Sequence, residues 1–163
     1  YHCHSGILFT ENLQTSRSAF AETGFHNTGL YNIDGAGAYP ANNTGLMELT
    51  GDPADMGKFR TPSLRNVALT APYFHDGSAE TLAEVLDHYR VGGRRITDGP
   101  HAGNGAQSPL RDGMIVGNSA TDAEAADIIA FLESLTDEGF LTNPAYGDPW
   151  PADHPAVANR VLP

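Results

Sequence analysis

Cys3 is the only cysteine of the 163-residue chain, and His4 follows it directly. A cysteine before a histidine ends the C-x-x-C-H motif, in which two thioether bonds attach a haem and the histidine ligates its iron. The first cysteine of that motif would lie one position before Tyr1. By itself, the pair is also compatible with an ordinary cysteine beside a polar histidine. With the motif, a bulky apolar cofactor would replace much of the side-chain core.

Acidic residues outnumber basic residues, with 20 Asp and Glu against 9 Lys and Arg and a formal net charge of -11. Nucleic-acid binding needs clustered Lys and Arg, so the charge argues against such a partner, whereas a basic protein partner stays compatible. No apolar run is long enough to cross a membrane, and the length suits one domain. Without a second cysteine, no disulfide forms within the chain.

Helical patterns are concentrated in two segments, separated by stretches rich in glycine and proline. In the first, Thr81 and Glu84 predict a capping box, and Gly92 marks the end of the helix. Its apolar residues fall at helical spacing, which places Tyr89 on the buried face. The residues of that face are Leu82, Val85, Leu86 and Tyr89.

The second segment begins at Thr121, which forms another predicted capping box with Glu124. It is expected to end before Gly139 and to bury one apolar face, made of Ile128, Phe131, Leu132 and Leu135. Weaker patterns predict a helix from Gln14 to Thr23 and a short turn from Leu46 to Asp52. No segment of any length shows the alternation of polar and apolar residues that is typical of a strand. The tail after Pro144 is predicted to be irregular.

The central segment carries a long and specific pattern. Residues 57–77 read GKFRTPSLRNVALTAPYFHDG and are followed by TLAE at 81–84. The pattern extends to TGDPAD at 50–55, FHNTGL at 25–30 and IAFL at 129–132. In this order the motifs resemble the second haem domain of the bacterial dihaem cytochrome c peroxidases and their relative MauG.

The resemblance implies an all-α fold, namely a cytochrome c-like haem domain that is rich in loops and has few helices. It implies that residues 1–163 are the C-terminal haem domain of a dihaem enzyme. The first cysteine of the motif and the N-terminal haem domain are then expected upstream, and the start of the chain is expected to be processed or truncated.

The same resemblance assigns the haem ligands. Cys3 becomes a thioether anchor and His4 an iron ligand. The second axial ligand is expected fourteen residues beyond His75, at Tyr89, where the electron-transferring peroxidases have methionine and MauG-like enzymes have tyrosine. The methionines Met47, Met56 and Met114 are interpreted as core or loop residues rather than sulfur ligands.

Relatives of this kind hold a calcium ion between their two haem domains, partly through main-chain carbonyls that correspond here to Thr70 and Pro72. Hard oxygen donors suit that ion. Arg60 and Arg65 are candidates to pair with haem propionates, and exposure to solvent or pairing with carboxylates is an equal alternative.

Other histidines receive no role in catalysis or metal binding. His75 lies in an apparent turn and is interpreted as structural, held by a hydrogen bond to the backbone. Trp150 is interpreted as a packing residue of the tail. The histidines without a spacing typical of a metal cluster are His2, His26, His88, His101 and His154.

The implied function is that of a MauG-like oxidoreductase of the peroxidase type, which uses hydrogen peroxide to oxidise tryptophan in a partner protein. The full protein would carry two haems c, of which this chain holds the six-coordinate one, and would reside in the periplasm. The alternatives are a classical cytochrome c peroxidase, fed by a small electron-donor protein, and a non-enzymatic single-haem electron-transfer cytochrome. The identity of the protein substrate stays open.

Overall fold

Most of the chain consists of loops that connect short helices and strands in the computed structural model, which describes residues 2–13, 16, 24–147, 150 and 153–155. The described residues contain four α-helices: α1 (Met47–Thr50), α2 (Leu82–Val91), α3 (Asp122–Ser134) and α4 (Glu138–Thr142). Short 3-10 turns lie at Pro53–Asp55, Val67–Leu69, Gly105–Gln107 and Pro144–Tyr146.

Two antiparallel strand pairs complete the secondary structure of the described residues. β1 (Phe25–His26) pairs with β2 (Phe59–Arg60), and β3 (Arg95–Ile96) pairs with β4 (Gly103–Asn104). The all-α prediction is therefore wrong, although the expectation of long loops and few helices agrees with the structure. Strands of two residues are too short to show alternation in a sequence, and tertiary packing of distant loops determines them.

Helix α2 begins and ends as its sequence predicts. The side chain of Thr81 accepts a hydrogen bond from the Glu84 backbone N–H, and Glu84 bonds back to the backbone of Thr81, so the capping box is present. Gly92 ends the helix in the left-handed region, with φ at 75°. On the predicted inner face, Leu82 is buried and Tyr89 is half-buried.

Helix α3 also has its predicted capping box, between Thr121 and Glu124. The helix ends at Ser134, before α4 begins. The predicted apolar face is buried only in part, because Leu132 is buried and Leu135 half-buried, whereas Ile128 and Phe131 are 41% and 48% exposed.

The weaker helical predictions have different outcomes. The turn predicted from Leu46 to Asp52 is confirmed as helix α1, which Gly51 ends in the left-handed region. The helix predicted from Gln14 to Thr23 lies outside the described residues, apart from Ser16. Within the described tail, Trp150 stacks on His154 with their rings 4.3 Å apart.

The hydrophobic core of the described residues is small. Its centre is formed by Leu30, Tyr31 and Tyr39, and half-buried apolar residues such as Met56 and Phe74 pack around it. Six hydrophobic side chains are buried in the whole described part. A domain of this size normally buries more, and a bulky apolar prosthetic group supplies the missing core in cytochromes c. No described helix is both long and apolar enough to cross a membrane.

Candidate haem site

His4 is held in an orientation that suits an iron ligand. Its Nδ1 atom lies 3.2 Å from the carbonyl oxygen of Phe9, so Nδ1–H donates and the lone pair of Nε2 is left for a metal. Burial lowers the pKa of His4, while the carbonyls of Phe9 and Pro62 act in the opposite direction. The imidazole is therefore neutral near pH 7, as iron ligation requires.

The loop of His4 packs against helix α3. The ring of Phe9 meets the ring of Phe131 edge to face, with 5.8 Å between their centroids. The backbone N–H of Glu11 donates to the carbonyl of Cys3 at 2.9 Å, which closes the loop behind the motif. Cys3 and His4 are thereby fixed beside the half-exposed apolar face of α3.

Tyr89 approaches the same region from helix α2. Burial, with a smaller contribution from the negative charge of a Cys3 thiolate, raises the pKa of Tyr89 to about 12. The ring packs between Phe74 at 6.4 Å and His88 at 5.3 Å. The structure thus places the predicted ligand Tyr89 half-buried on the inner face of α2, packed among aromatic rings.

These residues fit a haem. The donors are a thiol for thioether attachment, an imidazole with a fixed tautomer and a buried phenol, which are all known haem ligands or anchors. Between α2 and α3 lies a cavity of about 40 Å³ lined by Leu86, Tyr89 and Ile128, among other residues. This cavity is far smaller than a haem, so the fit rests on the donor set and on the incomplete core.

The two candidate arginines both reach the N-terminal loop. The guanidinium of Arg65 donates to the carbonyl of Ile7 at 2.8 Å, and that of Arg60 lies 3.5 Å from the carbonyl of Asn12. Both side chains are exposed, so they stay available for a carboxylate partner. Their pairing with propionates stays a prediction.

The candidate calcium ligands lie on the surface. Thr70 ends a 3-10 turn, and the Ala71–Pro72 peptide bond that follows it is cis. Both Thr70 and Pro72 are exposed, and neither carbonyl accepts a hydrogen bond from the part of the chain that the structure describes. Calcium binding stays a prediction.

Alternative ligands gain no support from the packing. Met56 packs against the hydrophobic core, as its interpretation requires, and Met114 is 46% exposed in a loop. His75 stacks on the ring of Phe59 at 3.5 Å, and among the described residues it makes no hydrogen bond to the backbone. The turn is held instead by Asp76, which accepts hydrogen bonds from Tyr31 and Arg94.

The structure assembles a second polar cluster that the sequence does not reveal. Cys3, Glu11 and His26 place one ligand atom each within 4.8 Å of one another. The other ring nitrogen of His26 lies 2.5 Å from the Asp112 carboxylate. Local spacing gives no signal for this group, because its members come from the N-terminal loop, strand β1 and the loop of Asp112.

His88 is a second histidine whose structural role the sequence does not predict. It is buried, and its Nε2 atom lies 2.8 Å from the carbonyl oxygen of Thr28. Its position next to Tyr89 and its ring contact with Phe74 at 4.7 Å tie helix α2 to the core.

Comparisons with known proteins give the family of the chain. No protein-family model matches the sequence. The crystal structure of a MauG-like protein associated with microbial copper homeostasis superposes with a TM-score of 0.88 and 56% sequence identity. The match covers 92% of this chain and 43% of the chain of that protein. The chain belongs to the MauG and dihaem cytochrome c peroxidase family. Membership implies haem c as its cofactor.

Curated relatives of both kinds match the chain. The Methylamine utilization protein MauG of Paracoccus denitrificans (strain Pd 1222) is 32% identical over 76% of this chain and 36% of the relative. Cytochrome-c peroxidase IdrP1 of Pseudomonas sp. (strain SCT) is 32% identical over 82% of this chain and 35% of the relative. The chain therefore spans about a third of the length of these curated relatives.

Proposed function

We propose that the chain is the C-terminal, six-coordinate haem domain of a MauG-like dihaem enzyme that uses hydrogen peroxide to oxidise tryptophan in a partner protein. The observation that carries the proposal is Tyr89, whose half-buried ring lies on the inner face of α2 against the rings of Phe74 and His88. The identity of 56% with a MauG-like protein supports the same choice.

The choice of axial ligand has a redox consequence. A thioether is soft and neutral and favours ferrous iron, whereas a phenolate is hard and anionic and favours higher oxidation states. A haem held by His4 and Tyr89 is therefore difficult to reduce and comparatively easy to oxidise. Such a haem suits storage of oxidising equivalents better than acceptance of electrons from a donor.

Within this domain, the chain binds and orients the haem and neutralises the charge of its propionates. Haem supplies the redox chemistry when it is bound. Cys3 anchors it, and His4 and Tyr89 ligate its iron from the loop and from α2. Arg60 and Arg65 pair with its propionates, which lowers the cost of burying those charges.

The calcium ion lies at the edge of this domain, and the second haem domain and the partner protein lie beyond it. A calcium ion bound by the carbonyls of Thr70 and Pro72 joins this domain to an N-terminal haem domain, which carries the peroxide site and the second haem. The partner is a protein with an accessible tryptophan. The location is the periplasm, because haem c is attached outside the bacterial cytoplasm.

A classical cytochrome c peroxidase is the second candidate. In that role the domain accepts electrons from a small cytochrome or copper protein and transfers them to the peroxide-reducing haem. The observation in its favour is that relatives such as IdrP1 are cytochrome-c peroxidases. A high-potential haem with a methionine ligand suits this role, and Tyr89 does not provide one.

One experiment distinguishes the two candidates. Hydrogen peroxide is added to the fully ferric, full-length protein, and the visible and near-infrared spectra are recorded. The MauG-like proposal predicts a near-infrared band that reports charge shared by the two haems. Peroxide turnover that requires prior reduction of one haem, without that band, would overturn the proposal in favour of the classical peroxidase.

A further inference from the structure

His26 is hydrogen-bonded to a carboxylate through each ring nitrogen. Its Nε2 lies 2.6 Å from Oε1 of Glu11, and its Nδ1 lies 2.5 Å from Oδ2 of Asp112. An ionised carboxylate only accepts hydrogen bonds, so both ring nitrogens must carry hydrogen for both contacts to hold. The geometry alone therefore identifies His26 as a protonated imidazolium.

The two carboxylates are themselves fixed as acceptors. Glu11 also accepts a hydrogen bond from the hydroxyl of Thr61 at 2.8 Å, and Asp112 accepts one from the backbone N–H of Met114 at 2.9 Å. The side chains of Glu11, His26 and Asp112 are 21%, 15% and 22% exposed. Partial burial strengthens such charge-assisted bonds relative to those in water.

Within the part of the chain that the structure describes, few charged groups surround His26. Glu11 and Asp112 face its two nitrogens, and the Cys3 sulfur lies within 4.8 Å of the ligand atoms of Glu11 and His26. Lys58 acts on the cluster from a distance, because its charge helps to lower the pKa of Asp112. The net raising of the His26 pKa by the two carboxylates, against the effect of burial, agrees with the geometry.

The cluster is also connected to the haem-attachment loop. Glu11 bonds to His26 through its side chain and to the carbonyl of Cys3 through its backbone N–H. With Cys3 in a thioether bond to haem, its sulfur is no longer a thiolate ligand, so a three-ligand metal site is not completed. The position between Glu11 and Asp112 is taken by a protonated ring.

We propose that His26 is a positioning residue of the haem site, which holds the Cys3–His4 loop through Glu11 and couples its own proton to the redox state of the haem. The inference rests on haem attachment at Cys3 and His4 under the proposed function. A reduced haem carries one more electron, so it binds the nearby proton more strongly. The midpoint potential of this haem must then fall as rising pH removes the proton.

The test uses purified full-length dihaem protein with both haems attached. Midpoint potentials of the two haems are measured by spectroelectrochemical titration from pH 5 to 10 for wild type, His26→Gln and Asp112→Asn. His101→Gln is the matched control, because His101 is exposed and contacts only Tyr31 among aromatic rings of the described residues. Coupling of one proton to one electron lowers the potential by at most about 59 mV for each tenfold fall in proton concentration.

In the wild type and in His101→Gln, we expect the midpoint potential of one of the two haems to depend on pH over part of the range. This part of the profile is the pH-dependent segment. His26→Gln loses that segment, because glutamine does not titrate. Asp112→Asn moves it to lower pH, because the ring loses one anionic partner.

A flat wild-type profile, or a segment that persists unchanged in His26→Gln, would overturn the inference. Failure of the proposed function is visible separately, since the near-infrared response to peroxide does not depend on this segment. If His26→Gln loses its haem, the Asp112→Asn variant tests the inference instead. A pH-dependent segment that does not move to lower pH in that variant would overturn it.

Discussion

Burial raises the pKa of Tyr89 to about 12, so its proton leaves only when a nearby positive charge such as ferric iron displaces it. As the proposed iron ligand, the residue would therefore discriminate between oxidation states of the metal. Ferric iron stabilises the phenolate, whereas ferrous iron does so less strongly. At the residue scale, this preference is the clearest contribution of the chain to the chemistry of its cofactor.

The first prediction is that Tyr89→Met raises the potential of the haem in this domain. Replacement of an anionic ligand by a neutral thioether favours the ferrous state, and a rise on the order of 0.1–0.3 V falls within the roughly 0.8 V that axial ligands span. Spectroelectrochemical titration of the full-length protein measures it. Tyr146→Met is the control, because Tyr146 is 64% exposed. An unchanged potential and spectrum in Tyr89→Met would remove tyrosine ligation.

The second prediction concerns stability and pH. The pKa of His26 is raised in the folded protein, so its stabilisation is complete below the usual value near 6.5 and is lost as pH rises through the folded value. The pKa of Asp112 is lowered, so its stabilisation is lost only at acidic pH. We expect His26→Gln to lower the thermal midpoint most at mildly acidic pH, with the difference shrinking above the His26 pKa. A difference that is constant across pH would contradict this account.

At the scale of elements, α2 and α3 begin with the same kind of cap but present different residues to the candidate site. Each has a capping box, with Thr81 bonded to Glu84 and Thr121 bonded to Glu124. Helix α2 presents Tyr89, whereas α3 presents an apolar face to the loop of His4. The two caps therefore form a natural pair of comparable sites with different functional consequences.

The third prediction uses that pair. Thr81→Ala and Thr121→Ala each remove one cap, which costs about 1 kcal/mol of stability. Chemical denaturation of the full-length protein should show similar losses. Only Thr81→Ala is expected to change the visible spectrum of the haem, since α2 carries Tyr89. Equal spectral changes in both variants would mean that the position of the tyrosine does not depend on α2 in particular.

Local signals made these two helices predictable, and the lack of such signals hid the strands. A capping box and a helical face lie within a few consecutive residues, so the sequence alone reveals them. Pairing of Phe25 with Arg60 depends on contacts between distant loops. The link from His26 to Asp112 spans 86 positions, and neither residue type is unusual by itself. Cys3, His4 and Tyr89 were predicted through a family pattern, because periodicity alone makes Tyr89 an ordinary core residue.

At the scale of the whole molecule, the proposal is that the carbonyls of the exposed residues Thr70 and Pro72 bind a calcium ion shared with a second domain. Carbonyl oxygens are hard donors that suit calcium, and two of them are too few for its six to eight ligands. The remaining ligands must come from water and from another part of the full-length protein. The ion would then link the two haem domains.

The fourth prediction is that removal of calcium from the full-length protein lowers peroxide-dependent oxidation of its partner. A calcium chelator is applied, activity is measured, and calcium or magnesium is added back. Calcium should restore activity, whereas magnesium should not, because magnesium demands a tighter octahedral shell. Full activity in protein shown by elemental analysis to contain no calcium would contradict a functional role for the ion.

The core around Leu30, Tyr31 and Tyr39 has a consequence for biogenesis. Six buried hydrophobic side chains in the described residues release too little apolar surface from water to offset the conformational entropy of a domain this size. If haem attaches at Cys3 as proposed, we expect the cofactor to complete the core, so that attachment precedes or accompanies collapse of the chain. The chain that meets the attachment machinery would then still be largely unfolded.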